Sequence, residues 1–269
     1  MVGEPLAEAS AWRVCQASVI GSAHVHSGTR CQDFCGHNLV LGPNDTVVLL
    51  FAADGAGTAN RSHEAAQLVC ESFENHFKSL VLQGANAGDI EKAECRKWII
   101  QAREAIRNRA AAAGGTAREY ACTFLGAILG ESASMFMQIG DGAIVVSCPE
   151  QPDEYDPVMW PEEAEYANMT YFVSDDDAED HLQTSKSASS VNEVAILTDG
   201  LQRIALHIAS KSAHSPFFRT FFNPLRNEEV GVSERLCEEL ISFLNSDQVQ
   251  ERTDDDKTLV MATRVNGAY

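Results

Sequence analysis

Four aspartates stand at the ends of apolar, strand-like runs: Asp54 in VVLLFAADGAG, Asp141 in MFMQIGDGAI, Asp199 in VAILTDGL and Asp255 in TDDDKTLVMAT. A carboxylate at the mouth of a buried strand is held rigidly yet still meets water. Several of them, drawn from distant parts of a chain, make an all-oxygen socket for a hard divalent cation such as Mg²⁺ or Mn²⁺. Asp-Gly is also the strongest short hairpin signal. Asp141-Gly142, between SMFMQI and AIVVSC, therefore also reads as a plain hairpin turn. Asp54 and Asp199 are each followed by a helix-like segment and not by a returning strand, so a hairpin does not account for them.

The elements that must position these acids are legible from periodicity. Residues 12–21 and 46–53 read as strands, the second a continuous apolar run suited to burial on both faces. A helix over about 59–81 carries Ala65, Val69, Phe73, Phe77 and Leu80 on one stripe, and a second over about 89–113 ends at Gly114-Gly115. Residues 120–148 read as three strands joined by tight turns. Regular patterning then breaks down over about 149–191, an irregular acidic excursion containing Asp175-Asp176-Asp177. That run reads as a solvated face, because it lacks the central glycine of a calcium-binding loop. A strand at 193–198, a helix at about 200–209, a Phe-rich segment at 217–222, a helix from Ser233 to Asn245 and a strand at 257–265 complete the pattern. Antiparallel clusters of strands with paired helices between them indicate an α+β fold, and with no evident linker residues 1–269 read as a single domain.

Lys and Arg number 20 against 39 Asp and Glu, a formal charge of −19, which disfavours nucleic acid and anionic membrane as partners. The same charge would repel a phosphate dianion unless a metal inverted the local field. The eight cysteines are scattered without a Cys-x-x-Cys pair, which argues against structural zinc and for a reducing, cytoplasmic setting. The N-terminal segment MVGEPLAEASAW has neither the basic nor the apolar region of a secretory signal.

Other phosphate chemistries are removed by simple inspection. There is no Gly-Lys dipeptide for a phosphate-cradling loop, and no cysteine has an arginine six positions on, as thiolate phosphatases require. Phosphatases with an aspartate nucleophile need a second Asp at the position of Ala52. His63-Glu64-Ala65-Ala66-Gln67 falls one histidine short of a zinc-protease helix.

Taken in order, GTRCQDF, AADGAG with its following helix, IGDGAIVV, AILTDGL and DDDKTL resemble the type 2C metal-dependent Ser/Thr protein phosphatase family, over about 15–265 and in particular its compact bacterial members. The resemblance implies a four-layer α-β-β-α sandwich of two antiparallel sheets flanked by helix pairs, with two Mg²⁺ or Mn²⁺ ions in a cleft at one end. It implies that Asp54 bridges both ions, that the Gly55 carbonyl binds one, that Asp199 and Asp255 complete the other, and that Asp141 helps to hold a third, looser ion. It further implies a phosphorylated protein as substrate, with phospho-Ser/Thr hydrolysed by a water activated between the metals.

Three positions depart from the family pattern. Gln32 stands where many members have Glu, which shifts part of that role onto Asp33. Gly28 occupies the place of the phosphate-clamping arginine, leaving Arg30 and Arg61 as substitutes, and Ala56 stands where some members carry a general-acid histidine. His24, His26 and His63 are the candidate proton donors, with His24 also a candidate phosphate ligand. These departures leave two alternatives to an active phosphoprotein phosphatase: a weakly active relative serving as a regulatory scaffold, and a hydrolase of small phosphoesters.

Overall fold

The computed structural model describes residues 12–161 and 170–265. In chain order the strands are β1 (Trp12–Val19), β2 (Phe34–Leu41), β3 (Thr46–Ala53), β4 (Phe124–Leu129), β5 (Ser134–Ile139), β6 (Ala143–Ser147), β7 (Asp156–Met159), β8 (Gln183–Ser187), β9 (Glu193–Leu197), β10 (Leu206–His207), β11 (Ser212–Ala213), β12 (Gly231–Val232) and β13 (Lys257–Arg264). The helices are α1 (Ser22–Ser27), α2 (Ser62–Leu82), α3 (Lys92–Ala112), α4 (Gln202–Ala205), α5 (Ser215–Leu225), α6 (Glu234–Leu244) and α7 (Asp247–Gln250).

Two sheets form, with strand orders β12-β1-β13-β9-β6-β7 and β2-β3-β4-β5-β8. Every pairing within them is antiparallel except β1 with β12. Strand periodicity sends alternate residues to opposite faces, and β3 shows what that does to a wholly apolar run. Val48, Leu50 and Ala52 pack between the sheets against Ile144, Ile196 and Val260 of the other sheet. Val47, Leu49, Phe51 and Ala53 pack outward on α2 and α3. The second sheet repeats the scheme, with Leu197, Leu259 and Met261 turned to α5 and α6. The result is the four-layer α-β-β-α sandwich.

The outer layers dock through aromatic residues. Phe73 of α2 is the hub, with ring centroids 5.8 Å from Phe51, 4.8 Å from Phe77, 5.5 Å from Trp98 and 5.0 Å from Phe124. On the other side α6 starts at Ser233, whose hydroxyl accepts the Leu236 N–H at 3.2 Å and satisfies one of the helix's unpaired donors.

Several sequence expectations are corrected. The 120–148 region does not fold as three successive hairpin strands: β5 pairs with β4 and β8 in one sheet, while β6 pairs with β7 and β9 in the other. Asp141-Gly142 therefore carries the chain across the sandwich and is not a hairpin turn. The 149–191 excursion contains β7 and β8, and its acid run is tied to α3 by Arg103–Glu179, Arg96–Asp180 (2.7 Å) and Arg107–Asp176 (2.6 Å). The helix at 200–209 is only the short α4, followed by the β10-β11 pair, and the Phe-rich segment is a full helix, α5. The alternation of β2 and the single turn of α1 were too weak to read from sequence. The N-terminal residues 1–11 and residues 162–169 of the excursion lie outside the described residues. Among the described residues no helix is long and apolar enough to cross a membrane.

Because Phe73 touches four rings in a fully buried layer, Phe73→Ala should lower unfolding free energy by about 3–5 kcal/mol, read from urea denaturation. A loss below about 1 kcal/mol would show that the helix layer does not depend on this hub.

Candidate active site

The antiparallel register brings five chain segments to one end of the sandwich: the end of β3, the start of β2, the β5–β6 crossing, the end of β9 and the start of β13. Asp54 follows β3 directly. Its N–H donates to Thr123 Oγ1 at 3.0 Å, the Thr123 N–H donates to its carbonyl at 2.8 Å, and Gly55 bridges to Cys122. Gly55 is packed so closely that a Cβ would lie 2.7 Å from that of Ser62 and 2.8 Å from the Gln32 carbonyl, so only glycine fits there.

Ligand oxygens of Asp54, Asp141 and Asp199 lie within 4.8 Å of one another. Asp199 opens the turn after β9, and the next residue must again be glycine, because a Cβ on Gly200 would stand 1.9 Å from the Asp256 carbonyl. Asp141 accepts a hydrogen bond from Thr170 Oγ1 at 2.7 Å, and its carbonyl receives the Gln202 amide. Asp255 is exposed at the rim, outside that group of three, yet its charge reaches both Asp54 and Asp199.

Asp33 completes the floor. Its Oδ2 accepts from Thr198 Oγ1 at 2.9 Å and from Thr258 Oγ1 at 2.6 Å. Its Oδ1 is buried without a donor among the described residues, and its carboxyl group lies beside that of Asp54. Burial, joined by the repulsion of neighbouring carboxylates, pushes Asp54 well above the usual carboxylate range, Asp33 up to about 6 and Asp199 up to about 7. Such a group of acids, with an orphaned oxygen among them, calls for protons or cations. Its purely oxygen donor set suits a hard divalent metal.

The remaining predicted residues sit apart from this group. Arg61 is committed to Glu64 at 2.7 Å and lies over the Tyr120 ring at 5.2 Å. Arg30 is exposed, near enough to His63 for its charge to lower that imidazole's pKa after the larger effect of burial. His26 is exposed, its Nδ1 2.6 Å from the Ser22 carbonyl. His24 Nδ1 lies 2.9 Å from Asp256 Oδ1, while its Nε2 faces the loop after Asp54, 4.0 Å from where a Gly57 Cβ would be. Gln32 turns its amide toward the Ala59 carbonyl at 3.5 Å.

Sequence reading missed Asp256. It is 1% exposed and accepts the Gly21 and Gln32 backbone N–H groups at 2.6 Å each, clasping the 21–33 segment to the start of β13. Strand parity was the available signal: residues 256 and 258 share the inward face with Val260 and Ala262. Thr123, Thr198 and Thr258 were missed for the ordinary reason that isolated threonines in strands carry no motif.

The sequence profile described as protein phosphatase 2C matches residues 20–245. The chain belongs to the protein phosphatase 2C family. Serine/threonine-protein phosphatase 3 of Escherichia coli (strain K12) is 36% identical over 255 residues, spanning 93% of this chain and 98% of that protein. Among solved structures, the catalytic domain of the serine/threonine phosphatase PstP in complex with two manganese ions aligns with a TM-score of 0.63 at 14% identity, covering 96% of this chain and all of that one. PppA, a regulatory component of the type VI secretion system in Pseudomonas aeruginosa, aligns equally well at 13% identity, covering 95% of this chain and 99% of that one. At such identities the structural likeness speaks for the fold. With the family membership and the curated relative, the protein is a metal-dependent Ser/Thr protein phosphatase that uses Mg²⁺ or Mn²⁺.

A carboxyl whose folded-state pKa is raised holds a proton that the unfolded chain has already lost, so its stabilising contribution disappears as pH rises through the folded value. With Asp33 at about 6 and Asp199 at about 7, against an unfolded value near 3.8, the phosphatase in EDTA should lose melting temperature between about pH 4 and pH 7. Saturating Mn²⁺ should remove most of that loss, and Asp54→Asn should make the EDTA slope shallower. A slope unchanged by both would show that the acids are not mutually strained.

Proposed function

We propose that Asp54, Asp141, Asp199 and Asp255, with the Gly55 carbonyl and Asp33, are the metal centre of this phosphatase, acting on phosphoserine and phosphothreonine in proteins. The observation that carries the proposal is the convergence of three half-buried carboxylates within 4.8 Å at the joined ends of both sheets. Asp54 is the common neighbour, feeling Asp33, Asp199 and Asp255 at once, which suits it to bridge two ions. The two manganese ions of PstP support that number. When bound, the cations lower the pKa of water and offset phosphoryl charge.

The chain's own groups orient and move protons. Thr198 and Thr258 fix Asp33 through Oδ2 so that its carboxyl stays beside that of Asp54 at the floor of the site. His24, backed by Asp256 and with Nε2 toward the loop, takes the proton-donor role that Ala56 cannot fill. Arg61 is held by Glu64, so the clamp expected at Gly28 falls to Arg30 or to the metals alone. Residues 1–269 act as one phosphatase domain. Eight free thiols fit a reducing cytoplasm, and the acidic surface fits a protein substrate and neither nucleic acid nor membrane.

Asp54→Asn should abolish phosphopeptide hydrolysis while leaving the circular dichroism spectrum intact; full activity in this variant would contradict the proposal. Asp141→Asn should lower kcat at saturating Mn²⁺ by about tenfold or more, about 1.4 kcal/mol of barrier, with little change in melting temperature. Unchanged kcat would reduce Asp141 to a crossing residue. His24→Gln should slow phosphothreonine peptide hydrolysis by roughly tenfold to a hundredfold, and p-nitrophenyl phosphate, whose leaving group needs no proton, far less. Equal losses on both substrates would deny His24 that part.

A further inference from the structure

Two cysteines from opposite ends of the sequence meet under the outer helix layer. Cys15 lies on β1 and, with Ala17 and Val19, belongs to the apolar core between that sheet and the helices α5 and α6. Cys237, one turn into α6, packs on the same core. The helix is tied to the strand on both sides of Cys15. The Ser233 N–H donates to the Val14 carbonyl at 3.0 Å, and the Gln16 N–H donates to Cys237 Sγ at 3.4 Å. The two thiols are in turn hydrogen-bonded to each other.

The two sulfurs are not equivalent. Hydrogen bonds from the Cys15 thiol and from the Gln16 N–H pull Cys237 below the ordinary cysteine range, against burial and the charge of Glu234. The bond to Cys237, burial and the charge of Glu239 push Cys15 the other way, so Cys15 keeps the shared proton. Cys237 is half-exposed. Cys15 is only 2% exposed, yet a cavity of about 210 Å³ reaches it between Phe221, Leu236, Leu240, Phe243 and Met261. A water molecule's share of liquid volume is about 30 Å³, so a small oxidant fits there.

The other six cysteines lack this combination. Burial pushes every one of their thiols up. Cys35 accepts the Ser18 hydroxyl at 3.2 Å between the sheets, on the face of β1 opposite to Cys15, so the strand itself stands between Cys35 and the pair.

We propose that Cys237 and Cys15 form a peroxide-oxidised dithiol, with Cys237 the attacking sulfur and Cys15 the thiol that resolves it into a disulfide between α6 and β1. The Cys237 thiolate attacks one oxygen of hydrogen peroxide, the O–O bond breaks, and hydroxide departs from a Cys237 sulfenic acid. The Cys15 sulfur then attacks the Cys237 sulfur. The S–S bond forms, the S–O bond breaks, and the oxygen leaves as water with the Cys15 proton. The two sulfurs together lose two electrons and the peroxide gains them. Exchange with external thiols restores both cysteines, and disulfides of reducing compartments are usually of this transient, redox-sensing kind.

The test exposes Mg²⁺-loaded native protein to a small excess of hydrogen peroxide at neutral pH and maps the products by mass spectrometry. The expected product is lighter by two hydrogens, carries one cross-link joining the Cys15 and Cys237 peptides, and returns to its starting mass with dithiothreitol. In Cys15→Ala the same treatment should leave Cys237 as a sulfenic acid that dimedone labels, whereas Cys237→Ser should leave Cys15 unlabelled. Before oxidation, iodoacetamide should alkylate Cys237 about tenfold or more faster than Cys148, which is also half-exposed. If Cys15→Ala melts early, the cross-link map of the native chain decides alone. No cross-link, a cross-link that omits either residue, or alkylation of Cys237 no faster than that of Cys148 would overturn the assignment.

Discussion

The structure is organised around an unfavourable interaction: the gathering of like-charged carboxylates where burial limits screening by water. Asp33, Asp54, Asp141 and Asp199 are brought together by the register of two sheets, with Asp255 at the rim, and the raised pKa values of Asp33, Asp54 and Asp199 record what that costs. A flexible loop would relax such a cluster by moving apart. Here Asp54, Asp141, Asp199 and Asp255 each sit within a residue or two of a strand buried almost throughout, Asp33 opens the half-buried β2, and the sandwich core prevents relaxation. On the proposed assignment, a divalent cation bound there would release the free energy held in that repulsion.

Holding the acids still requires fixed donors as well as a packed core. Thr123 locks the backbone of Asp54, Thr198 and Thr258 lock the side chain of Asp33, and Thr170 steadies Asp141. Asp256 works differently from its neighbour Asp255 although both belong to one acidic run. Its inward direction on β13 gives it two backbone N–H groups and the His24 ring, and makes it a clasp between the 21–33 segment and β13. Lys257 lies alongside, fully buried, with Nζ on the Ile20 and Asp255 carbonyls, supplying an ammonium close to Asp256, Asp255 and Asp33. Glycine at positions 55 and 200 lets the two turns approach other backbone closely enough for the carboxylates to converge.

Much of this was legible in the sequence because it rests on local rules. The apolar run of β3, the amphipathic stripe of α2 and the Ser233 cap of α6 each state their structure within a few residues. The convergence of Asp54, Asp141 and Asp199 was legible from their common position at strand ends. What could not be read depended on pairing between distant segments. Asp141-Gly142 has the residues of a hairpin, and only the different partners of β5 and β6 show that it crosses between sheets. The polar strand β8 and the ion pairs of the 175–180 run to α3 depend on a docking partner that lies far away in sequence. Asp256, Thr198 and Thr258 needed the strand register to be seen as one network.

The central claim is that the acid cluster carries protons that the metals displace. It is tested most directly by calorimetric titration of Mn²⁺ in buffers of different ionisation enthalpy, which counts protons released per ion bound. With Asp33 near 6, Asp199 near 7 and Asp54 raised, binding at about pH 6 should release a proton or more, falling toward none by about pH 8. Binding at about pH 6 with no proton release, or release that persists undiminished in Asp54→Asn, would contradict this account of the site.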